Sequence, residues 1–111
     1  GPTPNRNGEV IGSCGPTTSS RMDKFTPLLY KSGISVTIGK GERSKEVIEA
    51  IKKYKGAYLM TWGGCGAYLR KFVKESSVLA FPEFGAEAVR ELVVQDFPAV
   101  VAIDSCGRTI F

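Results

Sequence analysis

The chain has 111 residues, 42% hydrophobic and 23% charged, which suits a single domain over residues 1–111, with neither long disorder nor two independent cores expected. A formal charge of +4 is a mild excess, without the interleaved basic and aromatic residues of a nucleic-acid surface, so no nucleic-acid partner is expected. Without histidine there is no His-based triad or His metal site in this chain.

No apolar run approaches the ~20 residues of a membrane span, and no secretory signal pattern is visible, so no membrane association is expected. Three cysteines form an odd set. That speaks against a secreted disulfide scaffold and for a reducing cytosol, hence a cytoplasmic protein. The chain opens Gly1-Pro2-Thr3-Pro4 rather than on Met, which points to a processed start or a piece of something longer.

Residues Gly1 to Gly15 are rich in Gly, Pro and Asn, with a short strand expected at Glu9-Val10-Ile11. Gly12 to Thr18 reads as a tight loop. Ser19 or Ser20 is placed to cap a helix over Asp23 to Lys31, with Pro27 in its first turns and Gly33 as its stop. Ile34-Ser35-Val36-Thr37-Ile38 alternates and is β-branched, so it predicts a strand, with Gly39-Lys40-Gly41 as the turn after it.

Ser44 caps a predicted helix through Tyr54, with Val47, Ile48 and Ile51 on one face and Gly56 as its end. The basic run Lys52-Lys53-Tyr54-Lys55 closes that helix and complements its dipole. A strand follows at Ala57 to Thr61. Then come a helix at Ala67 to Lys74, a strand at Ser77 to Phe81, a helix at Ala86 to Val93 and a last strand at Ala99 to Ile103. Asp104 to Gly107 turns the chain. Strands alternating with helices predict an α/β domain whose sheet is largely parallel and flanked by helices.

Gly12 to Met22 is the first candidate site. A glycine-rich turn running into a helix exposes backbone N–H groups at a positive dipole end, which suits an anion. Thr17, Thr18, Ser19 and Ser20 add donors, and Arg21 adds a fork for a carboxylate. Simple N-capping by the same hydroxyls is an equally good reading of the spacing. Ile38-Gly39-Lys40-Gly41 puts a lysine at the carboxyl edge of the sheet, without a full phosphate-loop pattern. Thr61-Trp62-Gly63-Gly64-Cys65-Gly66 could cradle an anion or pack against a partner. Cys14, Cys65 and Cys106 show no short ligand spacing, so they read as buried or semi-buried structural thiols.

Gly1-Pro2-Thr3-Pro4, Gly8-Glu9-Val10-Ile11-Gly12-Ser13 and the long run Gly15-Pro16-Thr17-Thr18-Ser19-Ser20-Arg21-Met22-Asp23 resemble the β-subunit of class I fumarases and L(+)-tartrate dehydratases. The resemblance continues through Ile38-Gly39-Lys40-Gly41 to Asp96-Phe97-Pro98-Ala99 and Val101-Ala102-Ile103-Asp104-Ser105. It implies a swivelling β/β/α domain. It also implies a partner α-subunit, in a heterodimer or α2β2 assembly, that holds a [4Fe–4S] cluster with one iron free to act as a Lewis acid. The implied reaction is the reversible hydration of fumarate to malate, or its tartrate equivalent, on a small dicarboxylate substrate.

Carried over by position, the resemblance makes Thr17 the base that removes a carbon-bound proton, Arg21 a carboxylate clamp, and Lys40 and Thr18 substrate-binding residues. None of the three cysteines is implied as a cluster ligand. The family's β-subunit begins about half a domain earlier, with a Thr-Ala-Arg-Asp-Ala-Ala-His-like motif that has no match here. The expectation is therefore a β-subunit lacking that segment: a fragment, or one product of a split gene. A non-catalytic anion-binding or assembly module of the same fold stays open beside the enzyme reading.

Overall fold

The computed structural model describes residues 2–111; Gly1, which opens the Gly1-Pro2-Thr3-Pro4 run, lies outside the described residues. The chain divides into two compact units, one of Pro16–Thr61 with Ala99–Phe111 and the other of Gly1–Gly15 with Trp62–Pro98.

In the first unit, a 3-10 turn at Ser19–Met22 precedes helix α1, Thr26–Lys31. Strand β1, Val36–Gly39, then leads through helix α2, Lys45–Tyr54, to strand β2, Ala57–Met60. Ser44 caps α2 by accepting a hydrogen bond from the Val47 N–H, and Glu46 sits in the first turn. Val47, Ala50 and Ile51 recur on one face of α2 and are buried. They meet Tyr30 of α1 and Tyr58, Ala102 and Ile103 of the sheet in one core. Pro27 falls at the start of α1 and Lys52 and Lys53 in the last turn of α2, both as expected.

The unit's sheet has the order β1-β2-β5, where β5 is Val100–Ile103. β1 and β2 are parallel, joined by α2 as the crossover. β5 is antiparallel to β2, with a bulge between Tyr58 and Leu59.

The second unit carries a short helix α3, Gly66–Leu69, followed by a 3-10 turn at Arg70–Phe72. A two-stranded antiparallel sheet of β3, Val73–Ala80, and β4, Val89–Val94, completes it.

The molecule is a mixed α/β protein, but the sheet is not largely parallel: among the described residues only the β1–β2 strand pair is. A parallel neighbour needs a crossover, usually through a helix. Only α2 serves as one, because α3 is 4 residues long.

Three element expectations are corrected. Residues 9–11 form no strand: Gly8 turns left-handed at φ 82, and the Glu9 N–H bonds the Arg6 carbonyl. The helix expected over Ala67 to Lys74 stops early, and Val73 and Lys74 already belong to β3. The helix expected over Ala86 to Val93 is largely β4. There cross-strand pairing of Ser77 with Glu91 and Val78 with Arg90 overrides the local helix signal of Ala86-Glu87-Ala88.

Candidate active site

At the carboxyl end of β1, Gly39 gives way to Lys40 and to Gly41, whose φ of 83 suits glycine. Against this turn lies the Pro16–Met22 segment. Thr18 pairs with Lys40 in an isolated parallel bridge. The Ser19 N–H donates to the Lys40 carbonyl at 3.0 Å, and the Lys40 N–H donates back to Ser19 Oγ at 3.0 Å. A Cβ on Gly39 would sit 1.8 Å from Ser19 Oγ, so the close approach needs glycine there.

Ser19 Oγ also bonds the buried Tyr58 hydroxyl at 3.1 Å, and that hydroxyl reaches the Gly41 carbonyl at 2.9 Å. The Arg43 guanidinium lies over the Tyr58 ring, 4.9 Å from its centre. Arg43 Nε pairs with Asp23 Oδ1 at 2.6 Å, and Nη2 donates to Thr26 Oγ1 at 2.8 Å. Asp23 Oδ2 accepts the Ser44 N–H at 2.6 Å, which ties the end of the segment to the start of α2.

The two predicted motifs, Gly12 to Met22 and Ile38 to Gly41, therefore meet through Thr18 and Lys40. Thr17 and Arg21 are exposed, while Thr18 and Lys40 are half-buried. Arg21 Nη1 donates to Thr17 Oγ1 at 3.4 Å, the long end of the hydrogen-bond range. A cavity of about 300 Å³ opens beside them, lined by Thr17, Thr18, Met22, Thr37, Ile38 and Arg43 among others.

The expected helix start is corrected. Ser19–Met22 is a four-residue 3-10 turn, and Thr18 at its N-cap position makes no side-chain cap. This turn is too short to carry a useful helix dipole, and the Ser19 hydroxyl bonds the Lys40 N–H instead of capping. What the arrangement offers an anion is cationic and hydroxyl side chains, Arg21, Lys40, Thr17 and Thr18.

Ser19 is legible as a cap and as a donor of the loop, but not as the link to Lys40, and Tyr58, Asp23 and Arg43 carry no local signal. Apart from the Arg43–Thr37 contact, their side-chain bonds join residues 17 to 39 positions apart, and no local pattern records such pairing.

The thiols are also partly corrected. Cys14 is half-buried, and burial pushes its thiol pKa up. Cys65 and Cys106 are exposed, because Cys65 sits at the turn into α3 and Cys106 in the turn after β5. Among the described residues no group of three or more His, Cys, Asp or Glu side chains is placed to hold a metal. In the Trp62 to Gly66 turn, the Gly66 carbonyl accepts the Cys14 N–H, and a Cβ on Gly66 would lie 3.3 Å from that nitrogen. Gly66 thus serves close backbone packing, whereas Gly64 has open space around it and a left-handed φ of 75.

Fold and site together define a mixed α/β protein with a carboxylate-suited loop pair at the end of a parallel strand pair. The family model for the fumarase C-terminus matches residues 1–111, and the chain belongs to that family. It is 44% identical to fumarate hydratase 2 of Leishmania major over 113 aligned residues, covering all of this chain and 20% of that protein. Against the anaerobic class I fumarate hydratase of Escherichia coli strain K12 the identity is 40%, covering all of this chain and 21% of the relative. A Methanocaldococcus jannaschii protein with the provisional name L(+)-tartrate dehydratase subunit beta is 42% identical over 106 residues, 92% of this chain and 54% of that one. The chain thus spans about a fifth of the length of the fumarate hydratases it matches.

Proposed function

We propose that this chain is the substrate-clamping β-part of an iron–sulfur hydro-lyase that reversibly hydrates fumarate to malate, with a swivelling β/β/α fold. In this reading it works with a partner α-subunit, or the equivalent domain of a fused chain, that supplies the ligands of a [4Fe–4S] cluster, in the cytosol. The observation that carries it is the Thr18–Lys40 bridge, which lays the Thr17–Arg21 segment beside the lysine turn. Two cationic side chains on adjoining loops suit a substrate with two carboxylates. The names of the relatives, fumarate hydratases from two organisms, support fumarate.

Arg21 holds one carboxylate through its planar fork, and Lys40 and Thr18 contact the substrate beside it. In the dehydration direction Thr17 takes the proton from the carbon next to a carboxylate. The negative charge left on that carbon spreads into the carboxylate, where the cations stabilise it. Hydroxide then leaves the neighbouring carbon as the double bond forms. A threonine hydroxyl is a weak base alone. Thr17 is exposed, so its own proton leaves to water before it takes the carbon proton, and the Arg21 N–H directed at Thr17 Oγ1 stabilises the alkoxide so formed.

The test uses the full-length enzyme, purified anaerobically with its partner and assayed on fumarate and malate. Thr17→Ala and Arg21→Ala should each lower kcat/KM by about 100-fold or more, since each removes a group acting on the developing charge. Both side chains are exposed, so the unfolding temperature should barely move. Unchanged turnover in both variants would sink the assignment. The M. jannaschii relative, more than half of which this chain covers, favours L(+)-tartrate as a second substrate reading. Adding tartrate to the assay separates the two.

A further inference from the structure

We infer that Tyr58 is a positioning residue, acting through Ser19 to lock the base-bearing loop to the lysine turn; this rests on the functional reading just given. Packing alone would be met by phenylalanine, since the Tyr58 ring is buried in the core and covered by Arg43. The hydroxyl does something more. It sits between Ser19 Oγ at 3.1 Å and the Gly41 carbonyl at 2.9 Å. Ser19 Oγ in turn receives the Lys40 N–H, and the Ser19 N–H holds the Lys40 carbonyl.

Lys40 is therefore fixed at its own N–H, at its own carbonyl and at the carbonyl of the next residue. Those three points set the direction in which its side chain leaves the backbone. Ser19 stands two residues from Thr17 and two from Arg21. One pair of buried hydroxyls thus registers the proton-transfer residue, the carboxylate clamp and the lysine together. Glycine at position 39 is what lets Ser19 come this close.

Proton transfer is more sensitive to such registry than carboxylate binding is. A misplacement of about 1 Å can cost 10²-fold in rate, while a long flexible cation still finds its partner. Loosening the lock should therefore lower kcat more than it raises KM.

The experiment compares Tyr58→Phe, Ser19→Ala, the double variant and Tyr30→Phe in the full-length enzyme, with rates normalised to cluster content. Tyr30→Phe removes another buried hydroxyl from the same core, one bonded to Thr37 and Ala57 and not to the lock. Tyr58→Phe and Ser19→Ala should each lower kcat about tenfold, with KM changed less than about threefold. The double variant should cost little more than either single, because both break the same bonded unit. Tyr30→Phe should lose stability and keep its kcat. Ser19→Ala leaves the aromatic core intact, so the question stays answerable if Tyr58→Phe folds poorly.

The proposal is overturned if kcat is unchanged in both single variants, if their effects multiply in the double variant, or if Tyr30→Phe loses kcat equally. The functional reading fails separately, through an active Thr17→Ala enzyme.

Discussion

A methyl group at position 39 would sit 1.8 Å from Ser19 Oγ and 3.1 Å from Ser19 Cβ. Ser19 cannot retreat without giving up the Lys40 N–H and the Tyr58 hydroxyl. Gly39→Ala should therefore destabilise the chain by about 1–3 kcal/mol, the usual range for overpacking, read as a lower denaturation midpoint. Removing Ser19 Oγ as well should recover part of that loss; a double variant no better than Gly39→Ala would place the clash elsewhere. Tyr30 makes a different prediction. Burial raises its pKa above the ordinary 10.0, partly offset by its Thr37 hydrogen bond and by the Arg43 charge. The folded chain thus holds this proton more tightly than the unfolded chain does. The stability this provides is full below pH 10 and is lost as pH rises through the folded value. Thermal unfolding of the wild type and Tyr30→Phe should differ by about 1 kcal/mol at neutral pH, and the gap should narrow above pH 10. A constant gap up to pH 11 would exclude the pKa shift as its cause.

Helix α2 shows which parts of an element are written locally. Its start was legible because Ser44 and Glu46 are local signals, and its buried face because Val47 and Ile51 are four apart. Its end was read less well. Gly56 is the expected stop, yet the left-handed residue is Lys55, at φ 58. Gly56 is glycine for another reason: a Cβ there would lie 2.6 Å from the Tyr30 ring. β4 failed on the same ground, since its identity is set by β3 and not by its own residues. The site divides likewise. Thr17, Thr18, Arg21 and Lys40 were visible as motifs, but the hydrogen bonds that join the two motifs span the tertiary fold. The Asp23–Arg43 pair belongs to that hidden layer. The two side chains are 13% and 3% exposed, and the carboxylate also receives the Ser44 N–H at the start of α2. Asp23→Asn keeps the shape and removes the charge. It should cost about 3 kcal/mol in denaturant unfolding, because it leaves a guanidinium buried without its counter-charge. A loss below about 1 kcal/mol would mean that Thr26, Thr37 and the Tyr58 ring suffice for Arg43.

The two units of the chain are built with different amounts of core. The Pro16–Thr61 and Ala99–Phe111 unit holds the seven-residue cluster around Tyr58 and Ile51, with α1 and α2 packed over its sheet. In the other unit, β3 and β4 form a sheet of two strands, and apolar residues on both stay exposed, Leu79 at 62% and Val93 at 46%. An isolated two-stranded sheet is marginal in water, since its hydrogen bonds open without exposing much buried surface. Native-state amide exchange should therefore be unequal. Amides of α2 and β2 should exchange at least about tenfold more slowly than those of β3 and β4, because opening them requires breaking the core. Two amides outside any strand or α-helix should join the slow set: Ser19 N–H, bonded to the Lys40 carbonyl, and Lys40 N–H, bonded to Ser19 Oγ. Thr17 and Arg21, whose side chains lie open on either side of Ser19, would then sit on a base that opens only with the core. Fast exchange at Ser19 and Lys40 would show instead that the loop frees itself from the lysine turn while the rest of the unit stays folded. A hairpin as protected as α2 would show that its exposed valines and Leu79 do not govern its opening.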